Sequence, residues 1–140
     1  MPGEFDIIQR YFTFSSDESV LLNVGDDAAV MDLASSIAGG REKLVVATDT
    51  LIEGRHFPVS MAADYVASRA LSVNISDFSA MGVQPRWYTL ALSLPEFDQG
   101  WLAAFSSSLS ELSERYGLSL VGGDTTRGNL SITLTLMGLA

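Results

Sequence analysis

Four aspartates, each in a different segment of the chain, are the residues of this sequence best suited to bind a cation. Asp27 and Asp124 stand beside or close to glycines, and Asp49 follows an apolar run. Asp77 lies in a segment with helical spacing, on or near its apolar face. Clustered carboxylates repel one another unless a cation lies among them, and Mg²⁺ prefers oxygen ligands. If the four segments converge, the sequence predicts a site for several Mg²⁺ ions and the phosphates of a nucleotide.

The segment over residues 44–57 is the strongest candidate. An apolar run, interpreted as a buried strand, ends in Thr48-Asp49-Thr50, and a polar loop with the single histidine, His56, follows. An aspartate at the end of a buried strand is poorly solvated unless a cation is near. A turn or helix cap is the alternative role for Asp49, and a hydrogen-bonded loop residue is the alternative for His56.

The other candidates also have simpler interpretations. Asp27 can be a solvated acid in a turn. Asp77 can form a salt bridge with Arg69 or Arg86. The two glycines before Asp124 allow a backbone to approach phosphate oxygens closely, but the same residues can form a hairpin turn. A Walker A loop is excluded because its lysine and its helix are missing.

The composition limits the kinds of site that the chain can form. With 140 residues, 47% of them hydrophobic, it can bury the core of one domain. It has no cysteine and one histidine, so a metal would be held by oxygen, which favours Mg²⁺, Mn²⁺ or Ca²⁺. A net charge of −9 argues against a nucleic-acid surface. No stretch is long and apolar enough to span a membrane, and a cytoplasmic protein is the default expectation.

The periodicity of the apolar residues predicts the elements that must position the candidates. Two long helices are expected over residues 62–81 and 98–116, the second with Asp98 as its N-cap and Gly117 at its end. A short amphipathic helix is expected over residues 3–14. Strands are expected in the apolar run after Lys43 and over residues 28–33, 86–94, 118–121 and 130–136, with a hairpin loop over 35–42.

This order of elements predicts an α+β fold, with a mostly antiparallel sheet and its helices on one face. The strand over residues 86–94 carries bulky side chains on both sides, so a dimer partner or a second domain should cover the other face. All of residues 1–140 are assigned to one domain. Because the chain stops at an apolar strand, we expect this domain to be part of a longer protein.

The same segments resemble thiamine-monophosphate kinases, in order and over essentially the whole chain. That family belongs to an ATP-binding superfamily with aminoimidazole ribonucleotide synthetase, selenophosphate synthetase and a hydrogenase maturation factor. The motifs are specific in combination, although Gly-Gly-Asp alone is not. They are Gly3-Glu4-Phe5, Gly25-Asp26-Asp27-Ala28-Ala29, Thr48-Asp49-Thr50-Leu51 with Glu53-Gly54 and His56-Phe57, Ala70-Leu71-Ser72-Val73-Asn74-Ile75-Ser76-Asp77 through Ala80-Met81-Gly82, Pro85, and Gly122-Gly123-Asp124-Thr125-Thr126-Arg127-Gly128.

The resemblance implies the N-terminal domain of that superfamily, in which two copies form a homodimer and their sheets close into a shared barrel. It implies a Mg²⁺-dependent transfer of a phosphoryl group from ATP to thiamine phosphate, giving thiamine diphosphate and ADP. The acceptor is already anionic, so alignment and charge neutralisation should carry catalysis. No side chain is therefore assigned as a catalytic acid or base.

The resemblance also implies roles for individual residues. Gly123 and Asp124 are nucleotide contacts, and His56 is a thiamine phosphate contact. Ala47 stands where relatives often have a hydroxyl near a metal, and the family's C-terminal domain lies outside these residues, so the isolated chain is expected to be inactive. The alternatives are a related enzyme with another acceptor and a dimerisation fragment without turnover. The implied Mg²⁺ ligands are Asp27, Thr48, Asp49, Asp77 and Asp124.

Overall fold

The structure, a computed structural model, describes residues 3–25, 28–34 and 43–140. The described residues form three helices, six strands and the connections between them. In chain order the elements are α1 (Glu4–Tyr11), β1 (Val20–Leu22), β2 (Val30–Met31), β3 (Leu44–Ile52), α2 (Ala63–Ala80), β4 (Pro85–Leu94), α3 (Gln99–Tyr116), β5 (Ser119–Arg127) and β6 (Ser131–Leu139).

Four strands form the main sheet, in the order β3-β6-β4-β5. Strand β6 is central and pairs antiparallel with β3 and with β4, whereas β4 and β5 are parallel. A parallel pair needs a crossover connection, and α3 supplies it. The predicted α+β fold with a mostly antiparallel sheet is confirmed. The two strands that carry Asp49 and Asp124, β3 and β5, are the edges of this sheet.

Helices α2 and α3 pack on each other and on one face of the sheet. The predicted ends of α3 are confirmed: the Asp98 carboxylate accepts a hydrogen bond from the Trp101 N–H at 2.9 Å, and Gly117 adopts the left-handed conformation after the last turn. Leu102 and Phe105 lie on its buried face. In the part of the chain that the structure describes, no helix is long and apolar enough to cross a membrane.

Strands β1 and β2 pair with each other and cover one end of the opposite face of the sheet. There Trp87, Val121 and Leu139 are buried. The Trp87 Nε1–H donates to the Ser19 hydroxyl at 2.9 Å, which ties the segment before β1 to the sheet. The predicted cover over the second face is therefore provided in part by the chain itself.

Part of the rest of that face is lined by hydroxyl groups. Thr48 lies opposite Thr135, and Thr50 lies opposite Thr133, with 2.9 Å between the hydroxyl oxygens in each pair. Thr48 is exposed and the other three are half-buried within the described chain. The expectation of a partner over this part of the face stays a prediction.

Several predicted strands differ from the observed ones. The apolar run at the start of β3 was expected in a buried strand, but β3 is an edge strand with Leu44 and Val46 52% and 53% exposed. Hydrophobicity alone does not distinguish a central strand from an edge strand that has one open face. Strand β5 continues to Arg127, well past the predicted end, and the expected strand over 28–33 is reduced to β2. The hairpin loop expected over 35–42 lies outside the described residues.

Candidate functional site

Thr48 and Asp49 are neighbours on β3, but their side chains lie on opposite faces of the sheet because side chains alternate along a strand. The Thr48 hydroxyl faces the polar side, where it pairs with Thr135. Asp49 lies on the side that carries α2 and is half-buried. One carboxylate oxygen of Asp49 accepts a hydrogen bond from the Thr50 N–H at 3.0 Å. The two side chains therefore do not act as one pair of ligands on one face.

His56 lies in a tight loop directly after β3. Its Nδ1 accepts a hydrogen bond from the Ile52 N–H at 2.9 Å, and the Gly54 N–H donates to the Phe57 carbonyl at 2.7 Å. Phe57 is buried in the core and anchors the loop. A ring nitrogen that accepts a hydrogen bond carries no hydrogen, so the neutral ring carries its hydrogen on Nε2. In that tautomer, Nε2 of the half-buried ring is a hydrogen-bond donor.

Asp77 is exposed near the end of α2, so the expectation that it lies on the apolar side is wrong. The buried stripe is set by simultaneous packing on α3 and the sheet, which turns Asp77 outward. Of the two arginines considered as partners, Arg86 lies 3.4 Å from the Asp17 carboxylate. No ion pair among the described residues includes Asp77. The buried stripe consists of Ala63, Val66, Ala67, Ala70, Leu71, Asn74 and Phe78.

Asn74, one turn before Asp77, is 2% exposed. Its Nδ2 donates to the Ala70 carbonyl at 2.9 Å, whereas its Oδ1 has no hydrogen-bond partner among the described residues. A buried polar atom without a partner costs about 1–3 kcal/mol, so native proteins usually give such an atom a ligand or a water. An amide oxygen is a suitable donor for a hard cation or for the water bound to one.

The Gly122-Gly123-Asp124 segment lies inside β5, so the alternative of a hairpin turn is wrong. Gly123 has φ +151°, and a Cβ atom there would lie 1.8 Å from the Leu90 carbonyl oxygen. Gly122 has open space around it. Glycine at 123 is therefore required by the close approach of β4, whatever it also offers to a ligand.

A cavity of about 110 Å³ lies between α1 and the edge strand β5. It brings Gly25, two positions before Asp27, to the same place as Gly123 and Asp124. Asp27 itself lies outside the described residues. The residues of α1 were not assigned to a site, and the only sequence signal for them was the Gly3-Glu4-Phe5 motif. The lining consists of Glu4, Phe5, Ile8, Phe12, Val24, Gly25, Leu90, Leu120, Gly122, Gly123, Asp124 and Thr125.

The described chain does not bring Asp49 and Asp124 together. They lie on opposite edge strands, three strand spacings or about 14 Å apart. Within residues 3–25, 28–34 and 43–140, no group of three or more acidic or histidine side chains forms a metal cluster. The donors nevertheless fit Mg²⁺ in kind: all are oxygens, and the buried Oδ1 of Asn74 lacks a partner.

Comparison with known proteins places this chain in a family. The model of the AIR synthase related protein family, N-terminal domain, matches residues 25–140. This range includes β2, the four strands of the main sheet and both long helices, whereas α1 and β1 precede it. The chain belongs to this family.

Individual relatives are more specific. The thiamine-monophosphate kinase of Haemophilus influenzae is 44% identical over 97% of this chain and 40% of its own length. The crystal structure of thiamine-monophosphate kinase from Stenotrophomonas maltophilia K279a has a TM-score of 0.78 and 45% identity, covering 88% of this chain and 37% of that one. A structure of AaThiL complexed with AMPPCP and TMP has a TM-score of 0.66 and 33% identity over 69% of this chain and 32% of that one.

These findings confirm the resemblance to thiamine-monophosphate kinases. The chain spans 40% of the length of the Haemophilus influenzae relative.

Proposed function

We propose that this chain is the metal- and nucleotide-binding part of a thiamine-monophosphate kinase, which transfers a phosphoryl group from ATP to thiamine phosphate. The products are thiamine diphosphate and ADP. The observation that carries this proposal is the 44% identity to such a kinase over nearly the whole chain. The similarity to a structure complexed with AMPPCP and TMP supports the same pair of substrates.

The nucleotide is proposed to bind beside β5, with Gly123 and Asp124 in contact with it. Strand β5 is an edge strand, and edge strands present main-chain groups that are not used by a neighbour. The cavity against α1 lies next to these residues. Its position supports a ligand that approaches the main chain of β5 closely.

Several Mg²⁺ ions are proposed to be held by Asp27, Thr48, Asp49, Asp77 and Asp124. When bound, Mg²⁺ neutralises the charge on the transferred phosphoryl group. The acceptor oxygen of thiamine phosphate needs no strong base, so the task of the chain is to align the two anionic substrates. His56 is proposed to donate from Nε2 to the phosphate of thiamine phosphate, an orientation that its Nδ1 hydrogen bond supports.

A homodimer is proposed as the assembly, with the polar faces of two sheets closing into one barrel. The hydroxyl-lined part of the face and the exposed Leu44 and Val46 support a protein partner there. If β3 of one copy approaches β5 of the other, Asp49 of the first copy lies near Asp124 of the second. This arrangement would unite two carboxylates that the single chain keeps apart.

The first experiment is ATP-dependent conversion of thiamine phosphate to thiamine diphosphate, using the longest natural chain that contains these 140 residues. We expect product with Mg²⁺ and none with EDTA. No product from a folded dimer would favour a related enzyme with another phosphate acceptor. For the 140-residue chain alone, Mg²⁺-dependent properties that are lost in Asp49→Ala would rule out a purely structural dimerisation fragment.

A further inference from the structure

Strands β1 and β2 form a short pair that is separate from the main sheet. Two register pairs join them, Val20 with Met31 and Leu22 with Val30. A two-stranded ladder of this kind is at best marginally stable by itself in water. The contacts that the pair makes with the main sheet therefore determine where β1 lies.

The end of β1 leads into the cavity against β5. Val24 and Gly25 follow β1 closely in the chain, and both line this cavity together with Gly123 and Asp124. They form a part of the cavity wall that comes from outside the main sheet. A shift of β1 would therefore move this part of the wall relative to β5.

The beginning of β1 is anchored by Ser19, the residue that precedes it. Ser19 is 1% exposed, and its hydroxyl accepts a hydrogen bond from the Trp87 Nε1–H at 2.9 Å. The single hydrogen of this hydroxyl is donated to the Asp17 carboxylate, which also accepts from the Ser19 N–H at 2.9 Å. The Ser19 carbonyl accepts from the Asp32 N–H, directly after β2, at 2.6 Å. Ser19 thus joins both strands of the pair to the main sheet.

Trp87 is the end of this connection that belongs to the main sheet. It lies on β4, an interior strand, and its side chain is fully buried. The Arg86 guanidinium lies 4.8 Å from the centre of the indole ring and 3.4 Å from the Asp17 carboxylate, so it stabilises both groups. Val20 and Met31, one from each strand of the pair, pack against the apolar cluster that contains Trp87. The position of β1 thus depends on one buried hydrogen-bond network and one small apolar cluster.

We propose that Ser19 is a positioning residue for the nucleotide: through Trp87 and Asp17 it fixes β1, and β1 places Val24 and Gly25 at the cavity. This inference rests on the proposed function, because it takes the cavity beside β5 as part of the nucleotide site. Loss of the Ser19 hydroxyl then weakens the binding of ATP. It leaves the binding of thiamine phosphate unchanged, because the residue proposed to contact that substrate follows β3, the opposite edge strand.

The residue after Trp87 offers a matched control. Tyr88 is also fully buried, but it lies on the opposite face of β4, with its hydroxyl oxygen 2.7 Å from that of Ser113. Ser113 belongs to α3 and is 3% exposed. Ser19→Ala and Ser113→Ala each remove a buried hydroxyl that is hydrogen-bonded to an aromatic residue of β4. Only Ser19→Ala weakens the connection to β1.

The test measures steady-state kinetics and thermal melts of both variants in the longest natural chain that contains these residues. We expect both variants to lower Tm. We expect Ser19→Ala to raise KM for ATP about three- to tenfold, the effect of about one hydrogen bond, with KM for thiamine phosphate within about twofold of wild type. We expect Ser113→Ala to keep both KM values within about twofold of wild type. Calorimetric titration with Mg²⁺ and the ATP analogue AMPPCP should show the same difference in affinity.

An unchanged KM for ATP in Ser19→Ala would overturn the assignment. An equal rise in the two variants would also overturn it, because it would show a general effect of lost stability. If wild type binds AMPPCP but does not convert thiamine phosphate, the proposed acceptor is wrong, and the assignment still requires Ser19→Ala alone to weaken AMPPCP binding. A wild-type protein that binds no nucleotide would overturn both proposals. If Ser19→Ala does not fold, Trp87→Phe with Tyr88→Phe as its control tests the same hydrogen bond.

Discussion

The two ring nitrogens of His56 have separable tasks. Nδ1 holds the loop through Ile52, and Nε2 is proposed to contact the substrate. In His56→Asn, the amide oxygen can replace Nδ1 as an acceptor, whereas in His56→Gln the amide nitrogen can replace the Nε2 donor. We expect His56→Asn to keep Tm near wild type. We expect the same variant to raise KM for thiamine phosphate about tenfold or more, because it loses a hydrogen bond to a charged group.

The matched variant should behave in the opposite way. We expect His56→Gln to lower Tm by a few degrees and to keep KM within about threefold of wild type. Thermal melts and steady-state kinetics on the longest natural chain measure both quantities. If neither variant changes KM, His56 is a loop residue only, which was the simpler interpretation of the sequence.

Asp17 ties the segment before β1 to the sheet through hydrogen bonds with Ser19 and Arg86. Burial would raise the pKa of the Asp17 carboxyl, but the hydrogen bonds from Ser19 and the nearby Arg86 guanidinium bring it below its ordinary value of 3.8. A lowered pKa stabilises the fold at pH values above the unfolded-state pKa. This stabilisation is lost as the pH falls through the pKa of the folded state.

We therefore expect wild type to melt at a higher temperature than Asp17→Asn, by an amount that is constant near neutral pH and shrinks below about pH 4. Thermal melts of both proteins over a pH series measure this difference. A difference that persists unchanged to about pH 2 would show that the ionised carboxylate is not what stabilises the segment.

At the scale of elements, β5 shows that a motif can be required by packing before it serves a ligand. Gly123→Ala places a Cβ atom 1.8 Å from the Leu90 carbonyl oxygen at φ +151°, whereas Gly122→Ala meets open space. We expect Gly123→Ala to lower the free energy of unfolding by about 2–4 kcal/mol, from strain and overpacking together. Gly122→Ala should cost less than about 1 kcal/mol.

Urea denaturation of the two alanine variants measures this difference directly. Equal stabilities would mean that β4 and β5 separate easily at this point. In that case only the approach of a ligand would explain why glycine occupies positions 122 and 123.

At the scale of the whole molecule, the separation of Asp49 and Asp124 predicts a shared site. If the proposed dimer unites them across the two copies, Asp49→Asn and Asp124→Asn are each inactive, but a mixed dimer holds one intact pair. If the two variants mix at random, about half of the dimers contain one copy of each. In such a dimer one of the two sites is intact, so about a quarter of wild-type activity should return. The double variant Asp49→Asn/Asp124→Asn, mixed with itself, is the control.

Recovery is measured by the kinase assay after the two variants are unfolded together and refolded. No recovery, with mixed dimers demonstrated by two different affinity tags, would place both carboxylates in the site of one copy. The distance of about 14 Å across the sheet would then have to be bridged by more than one ion.

Much of the architecture followed from local signals in the sequence. The long helices were predicted within a residue or two of α2 and α3 because apolar spacing and the Asp98 cap act within one turn. The family was predicted from the resemblance of several motifs along the chain, and the match of the family model confirms it. The side that Asp77 faces was predicted wrongly, because the buried stripe of α2 depends on which elements pack against it.

The sequence by itself determined the class of fold, the kinds of secondary-structure element, the family and the oxygen-containing side chains that could bind a metal. Each of these depends on residue type and on neighbours along the chain. Only the tertiary structure decided that β3 and β5 are edge strands and that Gly123 lies inside a strand. It also decided that the Thr48 hydroxyl and the Asp49 carboxylate lie on opposite faces of the sheet. The reason is that a strand's position depends on its partners, and Thr48 meets Thr135 across 87 residues of chain. No local pattern in the sequence specifies such a pairing.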